Sequence, residues 1–502
     1  MANFKDTVKE TWGKCEAWLE KTFKLGENKT NVKTEAIAGV TTFMAMVYIL
    51  FVNAEMFQAL GGAPGNPSAT EMYNTVYIAT AISAVIGTVL IGLLAKLPLA
   101  QASGMGLNAF FVFTVCGAGF NGMTYANGLL FILLDGIIFL LLTVTGLREK
   151  IFRAIPDSVK VAIPAGIGLF IAFIGLQNAG IVVDEGATLV TLVSMNLLNG
   201  AKLSTVFTVF ATFAGVLAIT VLQKKEVKGA VLWGILGTTV LYYVVAALGA
   251  LLGSITFTEM FKGITIQNPF AAFGDFFEHG FFSVFTKGFD FSGYLGMGNN
   301  AFDLILTLLT GAFAFCMVDM FDTLGTLFGA CSRGNLLDEN GDVPNLNKAM
   351  LADAVATCAG AVCGTSTVTT FVESSAGIAV GGKTGLTSMV TAICFFIAMF
   401  FSPLGSLIPN CATAAALIYV GVLMMNCVTK VDWLNVETAV PAFATIAITV
   451  MTYSISYGIG IGLVADVAIR LCLGKLFKEN KTTDIITTVI AGLFLLMFLL
   501  TH

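Results

Sequence analysis

Long apolar stretches recur along the chain from residue 36 to residue 500, and short segments between them contain most of the charged residues. Many of these stretches approach the ~20 residues that an α-helix needs to cross a bilayer. The pattern predicts an all-α polytopic membrane protein with about fourteen spans. The first seven are predicted near residues 36–58, 73–95, 97–118, 125–147, 160–180, 204–223 and 229–253. The second seven are predicted near residues 299–328, 349–366, 367–382, 384–402, 407–426, 438–456 and 457–474.

The same pattern divides the chain into five parts, with boundaries at 1–35, 36–253, 254–298, 299–474 and 475–502. The second and fourth parts are the two seven-segment sets, and the phenylalanine-rich part between them is predicted to be an extracellular loop. The last part contains another apolar stretch, 483–500, which is either an additional span or a replacement for one of the fourteen. The first part predicts an amphipathic cytoplasmic helix, which lies on the membrane surface or packs against a loop. Its apolar residues at helical spacing are Phe4, Val8, Trp12, Cys15, Leu19 and Phe23.

Composition and charge agree with a membrane protein and fix its expected orientation. Hydrophobic residues make up 57% of the chain, charged residues only 11%, and the mean hydropathy is +0.88. These values exclude a water-soluble enzyme, a nucleic-acid-binding protein and a secreted disulfide scaffold. Of the 26 Lys and Arg residues, only Lys202, Lys262 and Lys287 fall on the side opposite the lysine-rich N-terminus. The positive-inside rule therefore predicts a multi-pass protein of the cell membrane with a cytoplasmic N-terminus.

Two segments are too irregular to cross the membrane as simple helices. Residues 98–110 mix Pro, Gly and small residues with Asn108, and residues 363–382 are β-branched, then acidic, then glycine-rich. Each is the third segment of its seven-segment set, and an odd number of segments inverts the second set relative to the first. Pro164 and Pro409, each predicted to open a span, add a second correspondence. Paired interrupted helices in two inverted repeats are the best sequence indication of a transporter's binding site.

Carboxylates within membrane spans are costly and by default mark function. Asp319 and Asp322 are spaced i, i+3 and share one face of the eighth segment, and Glu373 lies at the break of the tenth. Asn108 offers both a donor and an acceptor in the third. Together these groups suit a flat, neutral ligand that has N–H donors and ring acceptors. For Asp135 and Asp353 the alternative is a structural hydrogen bond to a neighbouring helix.

The motifs at these positions resemble those of the AzgA-like purine permeases, within the nucleobase–cation symporter-2 family that includes xanthine and uracil permeases. The resemblance covers about residues 34–474. It rests on GVTTFMAMVYILFVN (39–53), LAQASGMGLNAFF (99–111), MVDMFDTLGTL (317–327) and TTFVESSAGIAVGGKTGLTS (369–388).

The resemblance implies two inverted repeats of seven segments, with a core domain (segments 1–4 and 8–11) and a gate domain (segments 5–7 and 12–14). Segments 3 and 10 would each contain a short β-strand. Asp319 and Glu373 would be the substrate-binding acids, together with Asn108, and Asp322 would act in translocation. Thr323 follows Asp322 near the point where uracil permeases have a histidine, so a proton role would fall on the carboxylates Asp322 and Glu373.

The function implied is import of adenine, guanine or hypoxanthine by proton symport, with the core moving like an elevator against the gate. No enzymatic activity and no cofactor are expected, apart from the co-transported proton or sodium. An anion transporter for sulfate or dicarboxylates is the main alternative, although two acids would repel such a substrate. An intramembrane aspartyl protease and a channel are further alternatives. The preferred purine, proton or sodium coupling, and a monomeric or homodimeric state are left open by the sequence.

Overall fold

The computed structural model describes residues 18–117, 122–146, 154–186, 188–196, 202–251, 269–333, 336–338, 343–478 and 481–500. Within these residues, eleven helices are long and apolar enough to cross a membrane. Two shorter apolar helices, Met105–Val115 and Val436–Met451, lie where the third and thirteenth segments are predicted. A helix-containing element is therefore found at each predicted segment. Phe4, Val8, Trp12 and Cys15 of the predicted N-terminal helix lie outside the described residues.

In its described residues, the first repeat is helical apart from one strand in segment 3 and a hairpin after segment 5. Capping side chains start several of these helices: the Ser68 hydroxyl accepts from the Glu71 N–H, and the Glu71 carboxylate accepts from the Ser68 N–H. The elements are α1 (Val32–Met46), α2 (Tyr48–Gln58), α3 (Ala69–Leu90), β1 (Gln101–Ser103), α4 (Met105–Ala109), α5 (Tyr125–Thr145), α6 (Asp157–Asn178), β2 (Val182–Glu185), β3 (Leu189–Leu192), α7 (Leu203–Lys224) and α8 (Ala230–Leu251).

The second repeat has the same plan, and the described part of the connection before it, from residue 269, contains three short α-helices. Its third segment, like that of the first repeat, consists of a strand followed by a short helix. The elements are α9 (Pro269–Asp275), α10 (Ser283–Thr286), α11 (Ser292–Gly296), α12 (Ala301–Arg333), α13 (Leu346–Cys363), β4 (Val368–Thr370), α14 (Ser375–Ala379), α15 (Gly385–Ala398), α16 (Asn410–Met424), α17 (Val436–Met451), α18 (Ile455–Cys472) and α19 (Lys481–Leu500).

The strands of the two broken segments pair with each other. β1 and β4 are antiparallel, with Ala102 opposite Thr369. The pairing continues beyond the strands, because the Phe371 N–H donates to the Ala100 carbonyl at 3.0 Å and the Gly104 N–H donates to the Thr367 carbonyl at 3.1 Å. Buried non-helical backbone is thereby satisfied, as a membrane environment requires. The predicted β-strands in segments 3 and 10 are confirmed.

The segments pack into the two predicted bundles. In the core, α13 packs against α3 and α5, and α15 packs against α1 and α3. In the gate, α6 packs against α16 and α17, and α7 packs against α8 and α16. Fewer contacts join the two bundles, mainly those of α4 and α12 with α6, of α12 with α18 and of α1 with α8. The fold is therefore that of a two-repeat membrane protein with core and gate domains.

The two proline positions are less equivalent than the sequence suggests. Pro409 lies at the N-cap of α16, whereas Pro164 lies inside α6, which begins at Asp157. The expectation that Pro164 opens its span is wrong, because the polar residues just before it, from Asp157 to Lys160, are already helical. Only the first turn of a helix has N–H groups that do not need a partner, so the two prolines differ in their effect on the backbone.

The connection between the repeats packs on the core domain. The Asn74 side-chain amide donates to the Asp275 carboxylate at 2.7 Å, and the Asn127 side-chain amide donates to the Gly288 carbonyl at 2.9 Å. Residues 269–298 are thus held on α3 and α5. Their extracellular location remains a prediction.

The terminal parts also make defined contacts. The apolar stretch 483–500 lies in α19, which packs against α18 without displacing any of the fourteen segments. Arg470 of α18 donates to Asp484 of α19 at 2.6 Å. At the other end of the chain, Phe23 and Leu25 are buried against Leu386. The described end of the N-terminal part therefore packs against the start of α15.

Candidate functional site

The crossing of β1 and β4 brings the predicted site residues to one region of the core domain. α12 runs alongside β4, the turn at Val372–Ser374 and α14, and it also contacts α4. The strand pair is therefore surrounded by four predicted site residues. They are Asp319 and Asp322 of α12, Glu373 of segment 10 and Asn108 of segment 3. Within the described residues, no hydrogen bond joins these four side chains directly. Each is held by a neighbour of its own.

Asp319 lies on α12 and is fully buried. Its Oδ2 atom accepts a hydrogen bond from the Thr357 hydroxyl at 3.3 Å, while its Oδ1 atom has no partner. Thr357 also accepts from the Val368 N–H at 3.2 Å, so it connects the carboxylate to the first residue of β4. A buried carboxylate oxygen without a donor is costly, which makes it a ready acceptor for a ligand N–H.

Asp322 lies one helical turn from Asp319 on α12, and Glu373 lies in the turn that follows β4. The Thr369 hydroxyl donates to Asp322 at 3.4 Å, and the Tyr48 hydroxyl donates to Glu373 at 2.8 Å. Both acids are partly buried, and they are close enough for their charges to interact. Tyr48 is the first residue of α2, directly after the interruption of segment 1 at Val47. Segment 1 thus positions an acid of segment 10.

Asn108 lies in α4, directly after β1, and is fully buried. Its side-chain oxygen accepts from the Ser103 hydroxyl at 2.8 Å, and its Nδ2 atom has no partner. Behind it, Thr365 donates to Ser103 at 3.3 Å, and Asn53 donates to Thr365 at 3.2 Å. This network fixes the amide so that its N–H2 group stays available as a donor.

Asp353 makes structural hydrogen bonds, which was the alternative to a functional role for this residue. Its two oxygens accept from the Gln101 side-chain amide at 2.9 Å and from the Thr323 hydroxyl at 2.7 Å. Gln101 lies in β1, and Thr323 lies in α12 next to Asp322. Asp353 of α13 therefore connects the strand pair to α12. Asp135 differs, because neither of its carboxyl oxygens has a hydrogen-bond partner.

Sequence reasoning did not single out Tyr48, Asn53, Gln101 or Glu35, which are all buried polar residues of the core. Tyr48, Asn53 and Gln101 belong to motifs that carried the family resemblance, which was the available signal for them. Glu35 of α1 binds the residues just before α15 and the first turn of that helix. Its carboxylate accepts from the N–H groups of Lys383 at 3.0 Å, Thr384 at 3.3 Å and Thr387 at 3.2 Å, and from the Thr387 hydroxyl at 2.6 Å.

The site therefore combines hydrogen-bond acceptors and a donor on neighbouring core segments, without a positive charge. Asp319 offers a free carboxylate oxygen, Asn108 offers a free N–H2 group, and Asp322 and Glu373 complete an acidic edge. In the part of the chain that the structure describes, no lysine or arginine pairs with any of these acids. Such a surface fits a neutral ligand with several N–H groups and at least one acceptor.

Two inverted repeats, a core and a gate bundle and a buried polar site at crossed broken helices define a multi-pass membrane transporter, and not an enzyme. The chain belongs to the Permease family, whose model Xan_ur_permease matches residues 33–461.

Curated relatives match almost the whole chain. The guanine/hypoxanthine permease PbuO of Bacillus subtilis is 38% identical over 95% of this chain and 100% of its own length. The adenine permease AdeQ of Escherichia coli is 37% identical over 96% of both chains.

Solved structures share the fold at low identity. The transmembrane domain of the cyanobacterial bicarbonate transporter BicA has a TM-score of 0.57 and 16% identity, over 86% of this chain and 97% of that domain. The structure of SLC26A9 has a TM-score of 0.55 and 13% identity, over 95% of this chain and 71% of that chain. At this identity the likeness concerns the fold alone.

Proposed function

We propose that this permease transports purine nucleobases. The observation that carries the proposal is the free acceptor of Asp319 and the free donor of Asn108, buried at the crossing of β1 and β4. A purine presents N–H groups and ring nitrogens along one flat edge, which such a pair can recognise together. Relatives over nearly the full chain are named as guanine/hypoxanthine and adenine permeases, which supports the same substrate class.

In this proposal Asp319 and Glu373 accept hydrogen bonds from the purine N–H groups, and Asn108 binds a ring acceptor or a carbonyl. Asp322 contributes to translocation rather than to substrate contact. Charge-assisted hydrogen bonds are stronger than neutral ones, so the two acids provide most of the selectivity for N–H donors. Tyr48 keeps Glu373 in place at the edge of the site.

We propose that the core domain moves against the gate domain and carries the bound purine inward. The packing supports this movement, since most contacts lie within each bundle and fewer lie between them. The driving ion is proposed to be a proton, with sodium as the alternative. Burial disfavours the charged form of a carboxyl group, so buried acids at the site offer places for a proton to bind. We place the protein in the cell membrane with a cytoplasmic N-terminus, as a monomer or a homodimer.

An anion transporter of the same fold is the competing function. The bicarbonate transporter BicA shares the architecture, but only at 16% identity. Asp319, Asp322 and Glu373 would repel an anion, and no basic side chain among the described residues pairs with them. The charge of the site therefore favours a neutral substrate.

The test is uptake of labelled hypoxanthine by cells that lack their own purine transport. We expect uptake above the empty-vector level, and competition by adenine, guanine or both in excess. Sulfate, bicarbonate and dicarboxylates should not compete. Uptake that is absent for every purine, or labelled sulfate entering in place of hypoxanthine, would contradict the proposal.

A further inference from the structure

Asp135 is a buried acid that the proposed substrate site does not use. It lies in the middle of α5 and is fully buried, and neither carboxyl oxygen has a hydrogen-bond partner. The helix is tightly packed at this point. A Cβ atom on the neighbouring Gly136 would lie 2.6 Å from the Cys358 sulfur and 3.0 Å from the Cys358 backbone nitrogen of α13.

The neighbours of Asp135 connect it to the substrate site. It lies close enough to Asp353 of α13 and Asp319 of α12 for the charges of the three carboxyl groups to interact. The other titratable groups that face it are the thiols of Cys316 on α12 and Cys358 on α13. Among the described residues, no group of His, Cys, Asp and Glu side chains has an arrangement suited to a metal ion.

Hydrogen-bond accounting distinguishes the three acids. Asp353 accepts from two donors, Asp319 accepts from one, and Asp135 accepts from none. Donors stabilise the ionised form of a carboxyl group, while burial without donors favours the neutral form. Of the two acids that the sequence suggested for proton coupling, Asp322 accepts from Thr369 and Glu373 accepts from Tyr48. Asp135 is thus the acid whose surroundings most favour a bound proton.

We propose that Asp135 holds the coupling proton of the transport cycle, an inference that rests on the proposed function. An ionised Asp319 favours purine binding, because Oδ2 accepts from Thr357 while the free Oδ1 accepts a purine N–H, and a charged acceptor forms the stronger hydrogen bond. With Asp353 ionised and Asp135 nearby, a third negative charge in the same dry region is strongly unfavourable. Asp319 can therefore be ionised when Asp135 carries a proton. The proton binds with the purine and leaves with it, and no bond to the substrate is formed.

The variant Asp135→Asn tests this proposal because asparagine mimics a permanently neutral carboxyl group. In proteoliposomes we expect it to exchange internal for external purine at close to the wild-type rate, since Asp319 stays intact. Net accumulation should fail. A gradient of about one pH unit, with one proton per purine, sustains about tenfold accumulation in the wild type, because ~1.4 kcal/mol corresponds to a factor of ten. For Asp135→Asn the internal and external concentrations should become equal.

Asp157→Asn is the matched control. Its side chain is 92% exposed at the start of α6, so the variant should accumulate purine like the wild type. Wild-type accumulation that follows sodium instead of protons would overturn the proposal, as would tenfold accumulation by Asp135→Asn. If a folded Asp135→Asn lost both purine exchange and purine accumulation, the proposal would also be overturned. That result would place Asp135 in substrate binding or in the structure of the core. A wild-type protein that neither binds nor exchanges purine would instead contradict the proposed function.

An infrared measurement keeps the proposal testable if Asp135→Asn does not fold. Addition of purine to the reconstituted wild type should increase the absorption of a protonated carboxyl group. Asp135→Glu retains the carboxyl chemistry but should shift the frequency of that band. A purine-induced band that is the same in wild type and Asp135→Glu would overturn the assignment to Asp135.

Discussion

The hydroxyl of Tyr48 offers a direct test of how the site is held together. It is fully buried and donates to the Glu373 carboxylate at 2.8 Å, so Tyr48→Phe removes one charge-assisted hydrogen bond while the ring remains. A hydrogen bond to a charged group contributes about 1.5–3 kcal/mol. If this bond keeps Glu373 oriented for the purine, its loss should raise the Kd by roughly ten- to a hundredfold. The assay is equilibrium binding of labelled purine to the purified protein.

Tyr77→Phe is the matched control for this experiment. Tyr77 is equally buried in the core, but its hydroxyl donates to the Ala398 carbonyl at 3.0 Å, away from the strand crossing. A neutral hydrogen bond contributes about 0.5–1.5 kcal/mol, so this variant should lose some thermal stability and keep its purine Kd. The reasoning is refuted if Tyr48→Phe binds purine as tightly as the wild type, or if both variants weaken binding equally.

Two further predictions concern stability. Glu35→Ala leaves buried N–H donors without their acceptor and should reduce the free energy of unfolding by at least about 1.5–3 kcal/mol, measured as lower thermal stability in detergent. Glu27 is exposed, so Glu27→Ala should keep the wild-type free energy of unfolding. Equal stability of the two variants would refute the role of Glu35. Gly385→Ala would place a Cβ atom 2.0 Å from the Gly92 carbonyl oxygen, so it should cost about 1–3 kcal/mol by overpacking. Gly237→Ala is the control, because its added Cβ meets no atom within 4 Å, and it should keep wild-type stability. An unchanged melting temperature for Gly385→Ala would contradict the prediction, since it would show that the segments of Gly92 and Gly385 separate without cost.

Much of the architecture is predictable because the bilayer restricts it to few solutions. Apolar stretches of sufficient length give the helices, and buried irregular backbone must be satisfied by protein, so the two broken segments had to find partners. Their pairing as β1 and β4 came from the family resemblance rather than from periodicity. The offset between Pro164 and Pro409 escaped prediction, because a proline can lie either at a helix start or within the helix.

The sequence suggested residues for the candidate site but could not give their contacts. The i, i+3 spacing of Asp319 and Asp322 places both acids on one face, a local property of the helix. Tyr48 lies 325 positions away from Glu373, and only the tertiary fold brings the two together. The sequence likewise treats Asp135 and Asp353 alike, as single acids in apolar segments. Their difference depends on Gln101 and Thr323, which donate to Asp353 and not to Asp135.

The central claim is that a purine binds at the acids around β1 and β4, and Asp319 tests it most directly. Uptake of labelled hypoxanthine should be compared in proteoliposomes that contain the wild type, Asp319→Ala, or the control Asp303→Ala at the far end of the same helix. A hydrogen bond to a charged group contributes about 1.5–3 kcal/mol or more. Its loss in Asp319→Ala should reduce hypoxanthine uptake at least ten- to a hundredfold, while the protein still inserts and folds. Asp303→Ala should transport like the wild type. Normal hypoxanthine uptake by Asp319→Ala would contradict the account.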